Sequence, residues 1–184
     1  MEQFFEAWVE TVMRAVSQRT GGLLKVGRRR ETVSALAWEP AYVGSQRFLI
    51  PEVILEMEDV AVIVDAKYKR HWEELQERGW RGQDDDLREQ HRADLLQILA
   101  YANLVSAKQV VCCLVYPCST PTWESLARRD RIFHCSELPN RGRRIHVWLT
   151  AIPMLAAADR IASAFSEKVR SVRSPYTNPT ASSG

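Results

Sequence analysis

Two apolar runs constrain the fold of this chain more than any other feature of its sequence. Val60–Val64 is almost wholly apolar, and Lys108–Tyr116 is a near-continuous run of strand-forming residues. Strands that face solvent on one side alternate polar with apolar residues, so these runs indicate strands that are covered on both faces. The sequence therefore predicts a sheet with helices packed on both sides.

Helical periodicity is found on either side of these runs. From Gln3 to Val16, apolar residues recur at steps of three and four, and Gly21-Gly22 ends this predicted helix. Later helices are predicted over His91–Val105, Thr122–Arg129 and from Pro153, in the first turn, to about Arg170. The predicted apolar face of the His91–Val105 helix consists of Leu95, Leu96, Ile98, Leu99, Ala102 and Val105.

The strands complete an α/β pattern around a mixed β-sheet flanked by helices. Glu58-Asp59 is expected to form the tight turn of an antiparallel hairpin between Phe48–Met57 and Val60–Tyr68. Pro117 is expected to end the strand Lys108–Tyr116. The chain is thus predicted to form one domain over residues 1–173, with a disordered tail over 174–184. The polar stretch His71–Gln90 is predicted to be an insertion or a mobile flap. The predicted strands are Leu23–Val26, Phe48–Met57, Val60–Tyr68, Lys108–Tyr116, Arg131–Cys135 and Arg144–Leu149.

The charges of the chain are unevenly distributed, although the formal net charge is only +2. Between Arg128 and Arg173 there are ten Lys or Arg against four Asp or Glu. This segment, like Arg28-Arg29-Arg30, suits a surface that faces phosphates, but arginines that merely solvate a helix face and two loops give the same pattern. Charge alone leaves both interpretations open.

The sequence contains no signal for a cysteine-bound zinc site, a transmembrane helix or secretion. The four cysteines form no C-x-x-C pair and predict reduced thiols rather than a zinc site. No run approaches 18 apolar residues, and the acidic, amphipathic start Met1–Glu6 is unlike a signal peptide. A cytoplasmic protein with no membrane contact is expected.

Two short segments suggest a catalytic site, namely Pro51-Glu52 and Asp65-Ala66-Lys67. The predicted hairpin lies between them. Asp65 and Lys67 are two residues apart on one predicted strand, so they share a face, and Glu52 on the neighbouring strand can converge with them. An exposed strand end with a salt bridge would also contain Asp-x-Lys. However, the abrupt switch from the apolar Val60–Val64 to Asp65 indicates a buried strand that carries charge to a cleft.

Such a cluster suits the hydrolysis of phosphodiesters with Mg²⁺, for which Mn²⁺ is the expected substitute. Glu52, Asp65 and the Ala66 carbonyl are hard oxygen ligands, and Mg²⁺ keeps several waters beside a few carboxylates. Lys67 beside them can position the attacking water, stabilise negative charge or, with a lowered pKa, take the proton. The sequence leaves these roles of Lys67 open.

These segments, together with Asp94–Ala102 and the opening Phe5-Glu6-x-x-Val9, resemble the McrC-type branch of PD-(D/E)XK nucleases. The resemblance implies a restriction-endonuclease-like core, Glu52 and Asp65 as metal ligands and Lys67 as the catalytic lysine. It further implies that Glu6 is an accessory acid near the metal and that Gln97 and Tyr101 form a Q-x-x-x-Y element. The family usually has aspartate where this chain has Glu52.

Several roles have alternatives in the residues themselves. Gln97 and Tyr101, four apart on one helix face, can contact the DNA backbone or brace the lysine. Tyr101 also fits a core position, and Glu6 fits a solvated helix face. His91 and Arg92 are candidates for phosphate contacts.

The function implied is a Mg²⁺-dependent DNA endonuclease of a restriction or anti-phage defence system. The resemblance also implies partners, namely DNA, an AAA+ GTPase or ATPase motor or another recognition subunit, and a second copy of the chain. The alternative is a catalytically impaired nuclease-fold protein that serves as a DNA-binding or assembly module. An RNA substrate is a further possibility that the sequence leaves open.

Overall fold

The computed structural model describes residues 1–41, 44–68, 85–140, 142–154 and 156–173. Most of the strands form a six-stranded mixed sheet, whose order is first, fourth, fifth, sixth, eighth and seventh strand along the chain. The second and third strands form a small antiparallel pair of their own. The strands are β1 (Leu23–Val26), β2 (Ser34–Ala35), β3 (Phe48–Leu49), β4 (Val53–Glu56), β5 (Val60–Ala66), β6 (Gln109–Cys118), β7 (Phe133–Asn140) and β8 (Arg143–Pro153).

Helices cover both faces of this sheet. The helices are α1 (Glu2–Thr20), α2 (Asp85–Tyr101), α3 (Thr120–Arg128) and α4 (Ala158–Arg173). The centre of the sheet is parallel, because β5 pairs with β6 and β6 with β8 in the same direction. Its outer pairs β1–β4, β4–β5 and β7–β8 are antiparallel.

The buried residues of β5 divide between two cores, as the pleat of a strand requires. Val60, Val62, Val64 and Ala66 pack in one core with residues of α1 and α4. Ala61 and Ile63 pack in the other core with residues of α2. This arrangement confirms the predicted α/β fold with a mixed sheet flanked by helices, and it agrees with a restriction-endonuclease-like core.

The predicted strand Phe48–Met57 was wrong in its first half. β3 pairs with β2, and the chain leaves extended pairing before β4 begins at Val53. Pro51 lies in this break, has no N–H to donate to a ladder, and its carbonyl accepts a hydrogen bond from the Thr32 hydroxyl at 2.5 Å. The turn predicted at Glu58-Asp59 is present between β4 and β5.

Two predictions that rested on prolines were also wrong. Pro117 does not end β6, which continues to Cys118 in register with β8. Pro153 does not begin the last helix, because it is the final residue of β8, and α4 begins only at Ala158.

The predicted limits and apolar face of α2 need correction. The helix begins at Asp85 rather than His91, so the end of the predicted insertion is helical. Residues 71–84 of that insertion and the predicted tail 174–184 lie outside the described residues. Leu96, expected on the apolar face, has an exposed fraction of 60%.

The cysteines are free thiols, with Cys112 and Cys113 buried, Cys118 half-buried and Cys135 exposed. Among the helices in the described ranges, none has the length and apolar character needed to cross a membrane.

Candidate active site at the end of the central strands

The hairpin of β4 and β5 brings the two predicted acids face to face. Val53 pairs with Val64, so one further step of the same register puts Glu52 opposite Asp65. The next step would pair Pro51 with Ala66, but the Pro51 carbonyl is bound to Thr32. The Glu52 side chain replaces the Pro51 carbonyl as the partner of Ala66, because its Oε2 accepts a hydrogen bond from the Ala66 N–H at 2.7 Å.

Lys67 lies at the centre of a polar cluster. Its Nζ lies 2.6 Å from Oδ2 of Asp65, which has an exposed fraction of only 3%. The same ammonium donates a hydrogen bond to Gln97 Oε1 at 2.9 Å and lies 3.8 Å from Asp94 Oδ1. Gln97 in turn donates to the Tyr101 hydroxyl at 3.0 Å. The cluster therefore links the end of β5 to one face of α2.

The backbone of Lys67 is also fixed by the sheet. Its N–H donates to the Val115 carbonyl of β6 at 2.8 Å, which continues the parallel pairing of the two strands. The lysine thus emerges from an ordered strand end, and its side chain is only 16% exposed. This rigid attachment suits a group that has to hold one position.

Glu52 and Glu6 meet at a cleft on the other side of the cluster. The cleft has a volume of about 580 Å³ and lies between the start of α1 and the edge of the sheet. Glu6 is half-buried, so its side chain is not simply solvated on the helix face. The residues that line the cleft are Gln3, Glu6, Ala7, Glu10, Val26, Gly27, Arg28, Ile50, Glu52 and Val53.

The pKa values of Glu52 and Lys67 are both raised in this cluster. Burial raises the pKa of Glu52 to about 8, and the nearby charges of Asp65 and Glu6 add to the increase. Burial alone would lower the pKa of Lys67, but its ion pair and hydrogen bond with Asp65 outweigh burial and raise it. Glu52 therefore tends to hold a proton near neutral pH, whereas Lys67 remains a cation.

The donor chemistry of the cluster fits a hard divalent cation. Asp65 raises the proton affinity of Glu52, and such a cation would instead stabilise the Glu52 carboxylate as an anion. Within the described ranges, no three side chains from His, Cys, Asp and Glu form a complete metal-binding group. Glu52 and Asp65 supply carboxylate oxygens, which are ligands of the type that Mg²⁺ takes in small number while it keeps several waters. The ligand role of the Ala66 carbonyl remains a prediction.

The structure brings five of the six predicted catalytic residues into one cluster and puts the sixth beside it. Glu52, Asp65, Lys67, Gln97 and Tyr101 form the cluster, and Glu6 lies across the cleft from its edge. Gln97 contacts Lys67, as bracing the lysine requires, and the choice between this role and a DNA contact remains a prediction.

Two further residues of α2 differ from the sequence-based expectation. His91 is not available to a phosphate, because it is buried with its Nδ1 3.2 Å from the Tyr116 hydroxyl. Sequence reasoning also missed Asp94 as part of the lysine site. The signal was its position three residues before Gln97, on the same helix face. Arg92 has a side chain that is 73% exposed, and its role remains a prediction.

Comparison with protein families gives a match over most of the chain. Residues 1–117 match the family described as McrBC 5-methylcytosine restriction system component. The matched range includes α1, α2, β1 to β5 and nearly all of β6, and with them every predicted site residue. A comparison with curated proteins gives no match. The chain therefore belongs to the family of McrBC 5-methylcytosine restriction system components.

Proposed function

We propose that this protein is a metal-dependent DNA endonuclease of the PD-(D/E)XK type and the nuclease component, resembling the McrC-type subunit, of its restriction system. One observation carries the proposal, namely that Glu52, Asp65 and Lys67 meet at the end of two paired strands beside a cleft. Membership of a restriction family supports the same reaction class.

Glu52 and Asp65 would hold Mg²⁺ through carboxylate oxygens, with the Ala66 carbonyl as a third candidate ligand and Glu6 as an accessory acid. The ion, when bound, would lower the pKa of a water and neutralise charge on the phosphate. Glu52, with a pKa of about 8, has to lose its proton before its carboxylate can bind a cation. Metal affinity should therefore increase with pH up to about this value.

Lys67 would act as a fixed cation rather than as a general base. Its pKa is raised, so the neutral amine needed to accept a proton is scarce at neutral pH. The ammonium is held between Asp65 and Gln97, where it can orient the attacking water and stabilise negative charge as it develops. Tyr101 orients Gln97 from behind and acts through it.

The glutamate at position 52 is compatible with this role. Its longer side chain spans the hairpin and bonds to the N–H of Ala66, which fixes one of its oxygens. A carboxylate held in this way is pre-organised for a ligand, although it lies one methylene farther from its own backbone than the aspartate usual in the family.

The test is plasmid cleavage by the purified protein with Mg²⁺ or Mn²⁺. Wild type should nick DNA, and Lys67→Met and Asp65→Asn should reduce the rate by at least about a hundredfold, as expected when charge stabilisation is removed. Lys25→Met is the matched control, because Lys25 also forms an ion pair, with Glu56 at 2.7 Å, but outside the site. Equal cutting by wild type and both site variants would refute the assignment.

A second candidate, a nuclease-fold protein that binds DNA or assembles with partners without cutting, is favoured by the deep burial of Asp65. With 3% exposure and an ion pair to Lys67, Asp65 is less accessible than an open metal site requires. Salt-sensitive DNA binding with no cleavage in either metal would select this function. Parallel assays with RNA would identify an RNA nuclease.

The proposed partners are DNA and a motor or recognition subunit of the same restriction system. The family supports a multi-component assembly, because its description is that of one component of a system. A homodimer and a cytoplasmic location remain proposals that light scattering and cell fractionation would test.

A further inference from the structure

A turn after β1, comprising Gly27, Arg28, Arg29 and Arg30, is fastened directly to the backbone of the proposed metal ligand Glu52. The Gly27 N–H donates to the Glu52 carbonyl at 2.8 Å, and the Arg30 N–H closes the turn on the Gly27 carbonyl at 2.8 Å. A Cβ on Gly27 would lie 2.5 Å from the Pro51 carbonyl oxygen, so only glycine allows this close approach. The position of this arginine turn is therefore coupled to that of the proposed active site.

Arg28 anchors the turn and leaves the other two arginines available. Its guanidinium pairs with Glu10 at 2.6 Å, and Glu10, only 6% exposed, also pairs with Arg14 at 2.5 Å. Arg29 and Arg30 are exposed, and no carboxylate of the described residues lies within 4 Å of either. Two positive charges with no carboxylate partner among the described residues thus directly follow Gly27 and Arg28, which line the cleft.

The backbone of Arg30 is unusual for an arginine. Its φ of 63° lies in the left-handed region, which a side chain with a Cβ adopts at a cost and which glycine adopts freely. Strained residues of this kind concentrate at sites where the side chain has a task. The backbone conformation alone would favour glycine at position 30, so a role of the arginine side chain would explain why arginine is found there.

The cleft itself indicates that role. Gly27 and Arg28 of the turn line it together with Glu6 and Glu52, so a strand whose phosphate entered the cleft would run beside the turn that carries Arg29 and Arg30, and these cations attract phosphates. We propose that Arg29 and Arg30 bind backbone phosphates of the nucleic acid and hold the strand so that one phosphate enters the cleft. This inference rests on the proposed function and assigns it a phosphate-binding element outside the predicted site residues.

The test measures binding of a fluorescent DNA duplex by anisotropy in EDTA, over a series of salt concentrations. Each of Arg29→Gln and Arg30→Gly should weaken binding by about three- to tenfold and reduce the slope of log affinity against log salt by about one. Arg30→Gly should at the same time raise Tm by about 1–4 °C, because it relieves the strained backbone. Lower affinity in a more stable protein cannot come from partial unfolding.

Two controls separate the backbone effect from the charge effect. Asp130 has a φ of 52°, so Asp130→Gly should also raise Tm but should not weaken DNA binding. Arg170→Gln removes a positive charge from α4, where Arg170 donates to the carbonyl of Arg19 at the far end of α1 from Glu6, and should leave the salt slope unchanged.

Wild-type affinity and slope in both Arg29→Gln and Arg30→Gly would overturn the inference, as would an equal loss in Arg170→Gln. Because binding is measured without divalent ions, the result is independent of cleavage. A protein that binds through these arginines and never cuts would refute the endonuclease alone, and one that cuts with unaltered variant affinities would refute the arginine element alone.

Discussion

Glu52 is the residue whose protonation determines the charge of the site. In the folded protein its pKa is raised to about 8 from an ordinary value of 4.5, first by burial and then by Asp65. Between these two values the folded state binds more protons than the unfolded state, so this group makes stability fall as pH rises from 4.5 to 8. The destabilisation that comes from ionising Glu52 in the folded protein reaches its full value above pH 8 and is absent below pH 4.5.

Glu52→Gln should therefore stabilise the metal-free protein at alkaline pH. Glutamine keeps an acceptor for the Ala66 N–H but does not ionise. The gain in the free energy of unfolding should be on the order of 1–3 kcal/mol at pH 8.5 and should vanish near pH 4. Urea denaturation at both pH values measures it, with Glu58→Gln in the exposed β4–β5 turn as the control. A gain independent of pH would contradict the raised pKa.

We expect Gln97 to affect the rate of cleavage through Lys67, without touching the reacting atoms itself. Its carbonyl oxygen accepts from the Lys67 ammonium at 2.9 Å and its amide donates to Tyr101 at 3.0 Å. Gln97→Ala should loosen the lysine and lower kcat by about tenfold while leaving KM for DNA near wild type. Gln90→Ala, an exposed change in the same helix, is the control. A selective increase in KM would instead assign Gln97 to DNA contact.

At the scale of elements, the connection from β1 to β4 positions the proposed site through one glycine. Gly27→Ala would drive a Cβ into the Pro51 carbonyl, a backbone atom that cannot rotate away. We expect a loss of about 1–3 kcal/mol of stability in urea denaturation and a weaker Mg²⁺-dependent increase in Tm, because Glu52 must shift. In the comparison variant Gly22→Ala, the two nearest atoms belong to the side chains of Leu55 and Met57, at 2.7 and 2.9 Å, and the nearest backbone atom is the Glu56 carbonyl oxygen at 3.1 Å. The loss should be smaller there, because side chains can move more easily than backbone. Equal losses for both alanines would contradict this account.

The elements also show which features the sequence could predict. The burial of β5 could be predicted, because a strand that is buried on both faces has an unbroken run of apolar residues. Asp65 could be predicted as a site residue, because it interrupts this run. The strand periodicity put Asp65 and Lys67 on one face, and the helix periodicity did the same for Gln97 and Tyr101, but the link between the two pairs came from the family resemblance. The contact of Asp94 with the lysine was not predicted, since it depends on how closely α2 approaches β5.

The continuation of β6 through Pro117 depended on the neighbouring strand. The Val115 carbonyl faces β5, where it accepts the N–H of Lys67. Pro117, two residues later, points its nitrogen to the same side, but β5 has already ended at Ala66. The missing N–H thus costs no ladder hydrogen bond, and the strand continues along β8 alone. The proline by itself carried no information about where its neighbour stops.

For the whole molecule, the family match and the folding unit have different limits. The match ends at residue 117, within β6, yet β6 is paired with β8 along its full length from Gln109 to Cys118. The later part of the chain also completes the core beneath α1, with Trp148, Ile152, Ile161, Phe165 and Val169 all buried there. The site residues and their direct contacts lie in the matched part, but part of the packing that holds α1 and β6 in place comes from β8 and α4.

A fragment of residues 1–117 should therefore fail to fold cooperatively. It would expose one edge of β6 and the apolar face of α1 that α4 covers, and the removal of even one large core side chain costs about 2–5 kcal/mol. Against a total stability of about 5–15 kcal/mol for a typical domain, the loss of five such side chains cannot be absorbed. Near-ultraviolet circular dichroism and urea denaturation should show no cooperative transition for this fragment. A chain that ends at Arg173 keeps every described element and should unfold in one transition with the Tm of the full chain. Cooperative unfolding of the 1–117 fragment would mean that the matched region is itself the domain, and that β8 and α4 only dock onto it.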